Sequence, residues 1–301
     1  MNIAGKDIGL GHPPHIVAEV SGEHRGSIDN AIALIRAAKE AGADAAKLQA
    51  FSPERLAEAR GGRDKVLADG LWKGRKLIDL YRETHTPASW FSDLFAFADH
   101  IGITLFSSVF DEEGVDYLET LGCPAYKISS FEVTNLPLIR KAASTGKAVI
   151  ISTGMATRDD VLVALATAAS KPGYIDPEPG NVALLHCVSS YPCSIADANL
   201  SRLAALVRGD SPGGFRIPVG LSDHTLGSTA AIVATALGAS IIEKHITLDR
   251  NNGGHDAAFS LEPKEFAKLV QDVKDAYASL GTGERPKSED IYRSLRHKGG
   301  E

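Results

Sequence analysis

The chain has 301 residues, is 44% hydrophobic and carries a net charge of −6, which allows a sizeable core but offers no basic face for nucleic acid. No apolar run reaches the roughly 18–20 residues of a membrane span, and the N-terminus has no apolar stretch of signal-peptide length. Cys123, Cys187 and Cys193 are odd in number and form no CxxC pair, so neither a disulfide framework nor a zinc ribbon is readable, and the expected compartment is the cytoplasm.

Residues 1–14 contain Gly9, Gly11, Pro13 and Pro14, and are expected to form a hairpin or loop closing the floor of the domain that begins at His15. From there, short β-branched runs alternate with amphipathic helical patterns. The predicted strands are His15–Ser21, Ala45–Phe51, Ile103–Phe110, Ala125–Glu132, Ala148–Met155, Val182–Pro192, Ile217–Thr225 and Ser240–Leu248. Predicted helices lie near 28–42, 88–101, 111–122, 135–146, 158–170, 197–208, 226–238 and 263–281. Asp111, Asn135, Thr157 and Asp197 sit where N-caps belong, and Gly42, Gly102, Gly122, Gly146 and Gly238 follow the helices. Eight strand–helix repeats predict an α/β fold, a (β/α)₈ TIM barrel over 15–281. No GxGxxG opens the first helix, which argues against a doubly wound sheet. Residues 52–87 make a long connection after the second strand, carrying Trp72 and Tyr81, and such connections are commonly lids. Residues 282–301 read as a polar tail.

Reactive groups in this fold gather at the C-terminal strand ends, and those ends are polar here. They carry Glu19, Lys47, Gln49, Lys127, Ser129, Ser130, Glu132, Ser152, Thr153, Ser189, Ser190, Tyr191, Ser222, His224, Glu243, Lys244 and His245, with Asp256 in the last loop. Each unpaired buried polar group costs roughly 1–3 kcal/mol, so a solvent-filled site explains this layer better than a stability role does. Ser222 with His224, and Glu243 with His245, keep the period of two that shares a strand face. Parallel neighbouring strands would set His224 beside His245 as two ligands of a metal, although two hydrogen-bonded rim histidines would look the same in sequence. Lys47 and Lys127 sit among apolar neighbours; with the serines they suit a multiply charged anion, whereas a single barrel lysine also suggests a Schiff base.

The runs IVAEVSGEHRGSIDNAIALIRAAKEAGADAAKLQAF, YKISSFE, VIISTGMAT, LLHCVSSYP, GLSDHTLGS and ALGASIIEKHITLDR resemble the sialic acid synthase family. The match spans 14–281, and LYRETHTP, SSYPCSIADANL and DAAFS are similar to its pseudaminic acid branch. The resemblance implies condensation of phosphoenolpyruvate with an open-chain acetamido hexose to a nine-carbon 2-keto acid. It implies that Lys47, Lys127, Ser130, Ser152, Ser189 and Ser222 hold phosphoenolpyruvate. His224 and His245 would ligate a divalent metal, Mn²⁺ with Mg²⁺ or Co²⁺ as substitutes. Glu19, Gln49, Glu132, Tyr191 and Asp256 would surround the sugar, with Glu19 and then Glu132 as proton-transfer candidates, and Phe131 and Phe259 as candidate apolar wall. Members of the family usually continue into an antifreeze-like domain and pair as homodimers. The ending YRSLRHKGGE is similar to a compressed form of that linker, so absence of the domain is the expectation. N-acetylneuraminate synthase is the alternative within the family; a Schiff-base aldolase using Lys127 and a non-catalytic sugar-acid-binding barrel are the alternatives outside it.

Overall fold

A computed structural model of the chain describes residues 1–171, 174–176, 179–284 and 287–295. Eight parallel strands close into a barrel: β1 (His15–Glu19), β2 (Ala45–Ala50), β3 (Thr104–Val109), β4 (Ala125–Ile128), β5 (Ala148–Ser152), β6 (Val182–Cys187), β7 (Val219–Asp223) and β8 (Ile241–His245). Each is followed by a helix: α1 (Ile28–Glu40), α2 (Phe91–Ile101), α3 (Glu112–Thr120), α4 (Leu136–Ser144), α5 (Arg158–Ala168), α6 (Leu200–Val207), α7 (Thr229–Ala236) and α8 (Pro263–Ser279). The expected (β/α)₈ architecture is therefore present, with every predicted strand shorter at its C-terminal end. The polar residues there leave the ladder and turn into loops; Ser130–Glu132, expected as strand, is a 3₁₀ turn.

Local chemistry fixes most boundaries. Asp111, Asn135 and Thr157 cap helices by accepting from the backbone N–H of Gly114, Leu138 and Asp160. Asp197 does not act as the predicted cap. It lies inside a 3₁₀ turn capped by Ser194, and Asn199, in the left-handed region, precedes α6. The five predicted C-terminal glycines all have φ between 71° and 97°, where a side chain would strain the backbone. In α8, Phe266, Leu269, Val270 and Val273 are buried at helical spacing and pack toward α7 and α1. Each such side chain contributes roughly 1.5–3 kcal/mol.

The floor is closed from below by an N-terminal hairpin that pairs Asn2–Ile3 with Lys6–Asp7. Ile3 and Ile8 enter the main core, and Lys6 forms an ion pair with Asp44 just before β2. The tail expected over 282–301 lies partly outside the described residues; within it, Lys287–Leu295 form 3₁₀ turns. Among the described residues no helix is long and apolar enough to cross a membrane.

Outward-facing residues meet the helix layer, and one buried ion pair sits there. Lys244 Nζ lies 2.9 Å from Asp223 Oδ2, with both side chains at most 1% exposed. Lys244 thus leaves the group of strand-end residues that the sequence placed near the site.

At the floor, His15 is 2% exposed and neither ring nitrogen has a hydrogen-bond partner. Burial lowers its pKa to about 4, against an opposing pull from Asp44 4.0 Å away. Because the folded value lies below the unfolded 6.5, protonation favours unfolding, and stability falls as pH drops from about 6.5 towards 4. The His15 contribution to that fall is about 3 kcal/mol. Urea unfolding of wild type and His15→Leu across this range should show a shallower acid decline in the variant. Parallel declines would exclude the histidine as its source.

Candidate active site

Period-two alternation sends Glu19, Lys47, Gln49, Ser108, Lys127, Ser152, Cys187, Ser222, Glu243 and His245 into a cavity of about 710 Å³ at the C-terminal mouth of the barrel. At its inner end are two cations and two anions, each at most 4% exposed. Lys47 Nζ lies 2.6 Å from Glu19 Oε2, 3.6 Å from Glu243 Oε2 and 2.9 Å from Ser108 Oγ. Lys127 Nζ lies 3.4 Å from Glu243 Oε1, which also accepts from Ser222 Oγ at 2.9 Å. Burial opposes ionisation throughout, and the neighbours decide the outcome. Glu243 falls to about 2 because Lys127 and Lys47 outweigh its burial. Lys47 rises despite burial, through Glu19 and Glu243. Burial wins at Glu19, which rises, and at Lys127, which falls.

Beside the lysines, the buried hydroxyls of Ser152 and Ser189 have no hydrogen-bond partner, and Ser130 Oγ accepts from the Gly154 N–H at 3.0 Å. Gly154 keeps this corner open. A Cβ there would stand 2.3 Å from Ser189 Oγ and 2.9 Å from Ser130 Oγ. Two ammonium groups beside unpaired hydroxyls suit an oxyanion with several acceptor oxygens.

His224 and His245 lie side by side on β7 and β8, with ring centroids 5.4 Å apart. His224 Nδ1 is 2.9 Å from the Val188 carbonyl, which places a proton on Nδ1, so in the neutral ring Nε2 carries the lone pair. Burial, followed by the neighbouring His224, holds His245 well below its usual pKa, so it is a neutral imidazole. Its buried Nδ1 has no hydrogen-bond partner and stands 3.6 Å from Asp256 Oδ2. His224 is the opposite case: against its burial, the Cys187 thiol 3.8 Å away and the Val188 carbonyl raise its pKa, so it must give up a proton before it can ligate. With that proton lost, two imidazoles with a nearby carboxylate fit a divalent cation. No cluster of three or more potential metal-binding side chains occurs among the described residues, so the protein would supply two imidazoles and leave positions open.

Phe259 packs against this pair, 4.9 Å from the His245 ring, and is 1% exposed. It is a packing residue, and only Phe131, half exposed at the mouth, is placed to line the cavity. Gln49 bridges Glu19 Oε1 at 2.7 Å and Ser21 Oγ at 3.2 Å. Ser21 donates to Asp256, whose backbone N–H is held by Glu23 Oε1 at 2.8 Å. Tyr191 stacks 4.4 Å from His224. Every expected site residue except Glu132 borders this one cavity. Glu132 stands just behind the wall, paired with Arg60 and accepting from Ser129, so both its carboxylate oxygens are occupied.

The long connection after β2 folds over the mouth through two short helices, Pro53–Ala59 and Leu77–Thr84. Trp72 reaches the far side, 5.7 Å from the Tyr191 ring, and donates from Nε1 to the His255 carbonyl at 3.2 Å. Tyr81 is buried with its hydroxyl 3.0 Å from Arg60. Sequence reasoning missed Arg60, Ser108, Ser21, Cys187 and His255. Ser21 and Cys187 carried a signal, the two-residue steps from Glu19 and from Ser189; Ser108 is one of two adjacent serines whose facing depends on register.

Residues 34–285 match the NeuB family. The pseudaminic acid synthase of Campylobacter jejuni is 37% identical over 279 residues, covering 93% of this chain and 78% of that protein. The N,N′-diacetyllegionaminic acid synthase of Legionella pneumophila is 37% identical, covering 91% of this chain and 75% of that one. A crystal structure of N-acetylneuraminic acid synthetase from Leptospira borgpetersenii, 32% identical, superposes with a TM-score of 0.84 over 99% of this chain and 98% of its own.

The open corner at Gly154 yields a direct test. Gly154→Ala should fold but bind inorganic phosphate at least about tenfold more weakly in calorimetric titration, because the Ser189 and Ser130 hydroxyls must move. Unchanged affinity would place the anion elsewhere.

Proposed function

The chain belongs to the NeuB family, and we propose that it condenses phosphoenolpyruvate with an open-chain acetamido hexose, giving a nine-carbon 2-keto sugar acid and inorganic phosphate. Its relatives include pseudaminic acid synthases, and a 2,4-diacetamido sugar is the substrate we assign. The observation that carries this reading is the cavity itself, which is lined by Lys47 and Lys127 together with the buried hydroxyls of Ser152 and Ser189.

In this reading Lys47, Lys127, Ser130, Ser152, Ser189 and Ser222 seat the phosphate and carboxylate of phosphoenolpyruvate. Gln49, Tyr191 and Asp256 hold the sugar hydroxyls, and Glu132 faces the same sugar from behind the wall. C3 of phosphoenolpyruvate attacks the aldehyde carbon and the resulting alkoxide takes up a proton; water adds at C2 with loss of one proton, and C–O cleavage expels phosphate to leave the ketone. Glu19 takes the proton from that water: burial raises its pKa against the pull of Lys47, which makes it a stronger base than a free carboxylate. Glu132, with both oxygens occupied, is the weaker candidate for that transfer. His224 and His245 would hold a divalent metal, Mn²⁺ first, which when bound supplies Lewis acidity at the aldehyde oxygen. The enclosed lysines also fix the two reactants at attacking distance.

The deciding assay supplies phosphoenolpyruvate, Mn²⁺ and either 2-acetamido or 2,4-diacetamido hexoses, and reads phosphate release and product mass. Phosphate release with a product that incorporates both carbon skeletons is the expected result. The depressed Lys127 is also a property of Schiff-base lysines. Borohydride trapping of a sugar adduct on Lys127, without phosphate release, would replace the proposal with an aldolase. Ligand-induced stabilisation with no chemistry would leave a binding protein.

Lys127→Met should raise the KM for phosphoenolpyruvate about 10- to 150-fold and that for the sugar far less. Lys127 is the cleaner probe, because losing Lys47 strands Glu19, whereas Glu243 is held by either lysine. A selective sugar defect would misplace the anion seat. Mn²⁺ binding, followed by electron paramagnetic resonance, should weaken at least about tenfold in His224→Ala or His245→Ala. Unchanged binding would remove the pair as ligands.

A further inference from the structure

Arg60 lies at the C-terminal end of the first loop helix, and its guanidinium gathers four segments of the mouth. One nitrogen pairs with Glu132 in the turn after β4, and the other donates to the Tyr81 hydroxyl of the second loop helix at 3.0 Å. Its carbon sits 4.5 Å from the centre of the Phe131 ring and 5.9 Å from that of Phe110, just past β3. The Arg60 side chain is 22% exposed and lines the cavity, while that of Glu132 is 7% exposed.

The arrangement has two consequences. A carboxylate this buried depends on its counterion, so Glu132 keeps its place only while the loop lies closed over it. At the outer end the guanidinium is already engaged by Glu132 behind the wall, whereas the lysine end adds to its paired charges a buried serine hydroxyl without a partner. A neutral polyhydroxylated ligand suits such a wall, where Arg60 lines the cavity and its unused guanidinium N–H groups offer donors.

We infer that Arg60 is a positioning residue that fastens the 53–84 loop and holds Glu132 at the sugar end of the cavity, so that loop closure and sugar selection are one event. This inference rests on the sugar-condensing function proposed above. Selection works through hydroxyl and acyl groups of a neutral sugar, and phosphoenolpyruvate at the lysine end does not sense it.

The test separates the two layers. In substrate-free protein, Arg60→Met should speed hydrogen exchange of amides across 53–84 at least about tenfold, with Arg60→Lys closer to wild type. In turnover, Arg60→Met should raise the sugar KM at least about tenfold while the phosphoenolpyruvate KM stays within about twofold; Arg60→Lys, which keeps a charge beside Glu132, should recover most of the loss. Adding Glu132→Gln to Arg60→Met should cost less than adding it to wild type. An unchanged sugar KM, even with a lowered melting temperature, overturns the inference, as does an equal rise in both KM values. Wild-type protein that turns over no sugar defeats the functional reading; in that case loop exchange decides the fastening, and unchanged exchange in Arg60→Met overturns it.

Discussion

Lys47 Nζ stands 2.6 Å from Glu19 and 3.6 Å from Glu243, and Lys127 completes the set 3.4 Å from Glu243. Desolvating any one of these ions costs several kcal/mol, so none is tolerable alone and the four are held as a unit. Sheet register supplies the geometry. Glu19 is the direct partner of Lys47 across β1 and β2, and of His245 across β1 and β8. The histidine pair and the lysine cluster are therefore adjacent through backbone hydrogen bonding, before any side-chain contact is counted. Gly220 shows how tightly this is built: a Cβ on it would stand 2.3 Å from the Ile241 carbonyl, between β7 and β8.

A cluster that is neutral without ligand sets terms for what enters. An arriving polyanion must draw Lys47 and Lys127 partly away from Glu19 and Glu243, so affinity reflects a difference between two sets of ion pairs. Glu243 sits deep below its usual pKa and remains a carboxylate, whereas Glu19, raised by burial, is the member able to accept a proton as negative charge accumulates. The same carboxylate is the candidate for moving a proton during catalysis, which joins binding and chemistry in one residue.

Most of this inner site was legible because strand periodicity is rigid. Once Glu243 and His245 are placed on a strand, their shared face follows from the two-residue step, and the barrel decides that it is the inner one. The same rule sends Lys244 outward to Asp223, yet the sequence alone left it grouped with its polar neighbours. Arg60 carried no such signal. It lies in an irregular connection where no period relates one residue to the next, and only the folded path of residues 53–84 brings it to Glu132. Asp197 failed as a cap for a related reason: two candidate cap residues lie within one turn, and the 3₁₀ segment from Ile195 to Ala198 shifts the helix start to Asn199.

The two ends of the cavity differ in what a single change would cost. At the inner end, losing one charge strands a buried partner, a penalty of several kcal/mol that only a simultaneous second change offsets. At the outer end the groups come from the mouth: Trp72 and Arg60 are partly exposed, and Phe131 is half exposed. Water replaces a lost contact of Trp72 or Phe131, and the penalty shrinks accordingly, whereas losing Arg60 uncovers the buried Glu132. On the function proposed above, the chemistry common to every substrate is tied to the barrel by electrostatics, while recognition of the variable sugar would rest on loops that can be altered one residue at a time. Glu132 marks the border, because it is set by a barrel strand yet depends on a loop arginine for its charge balance.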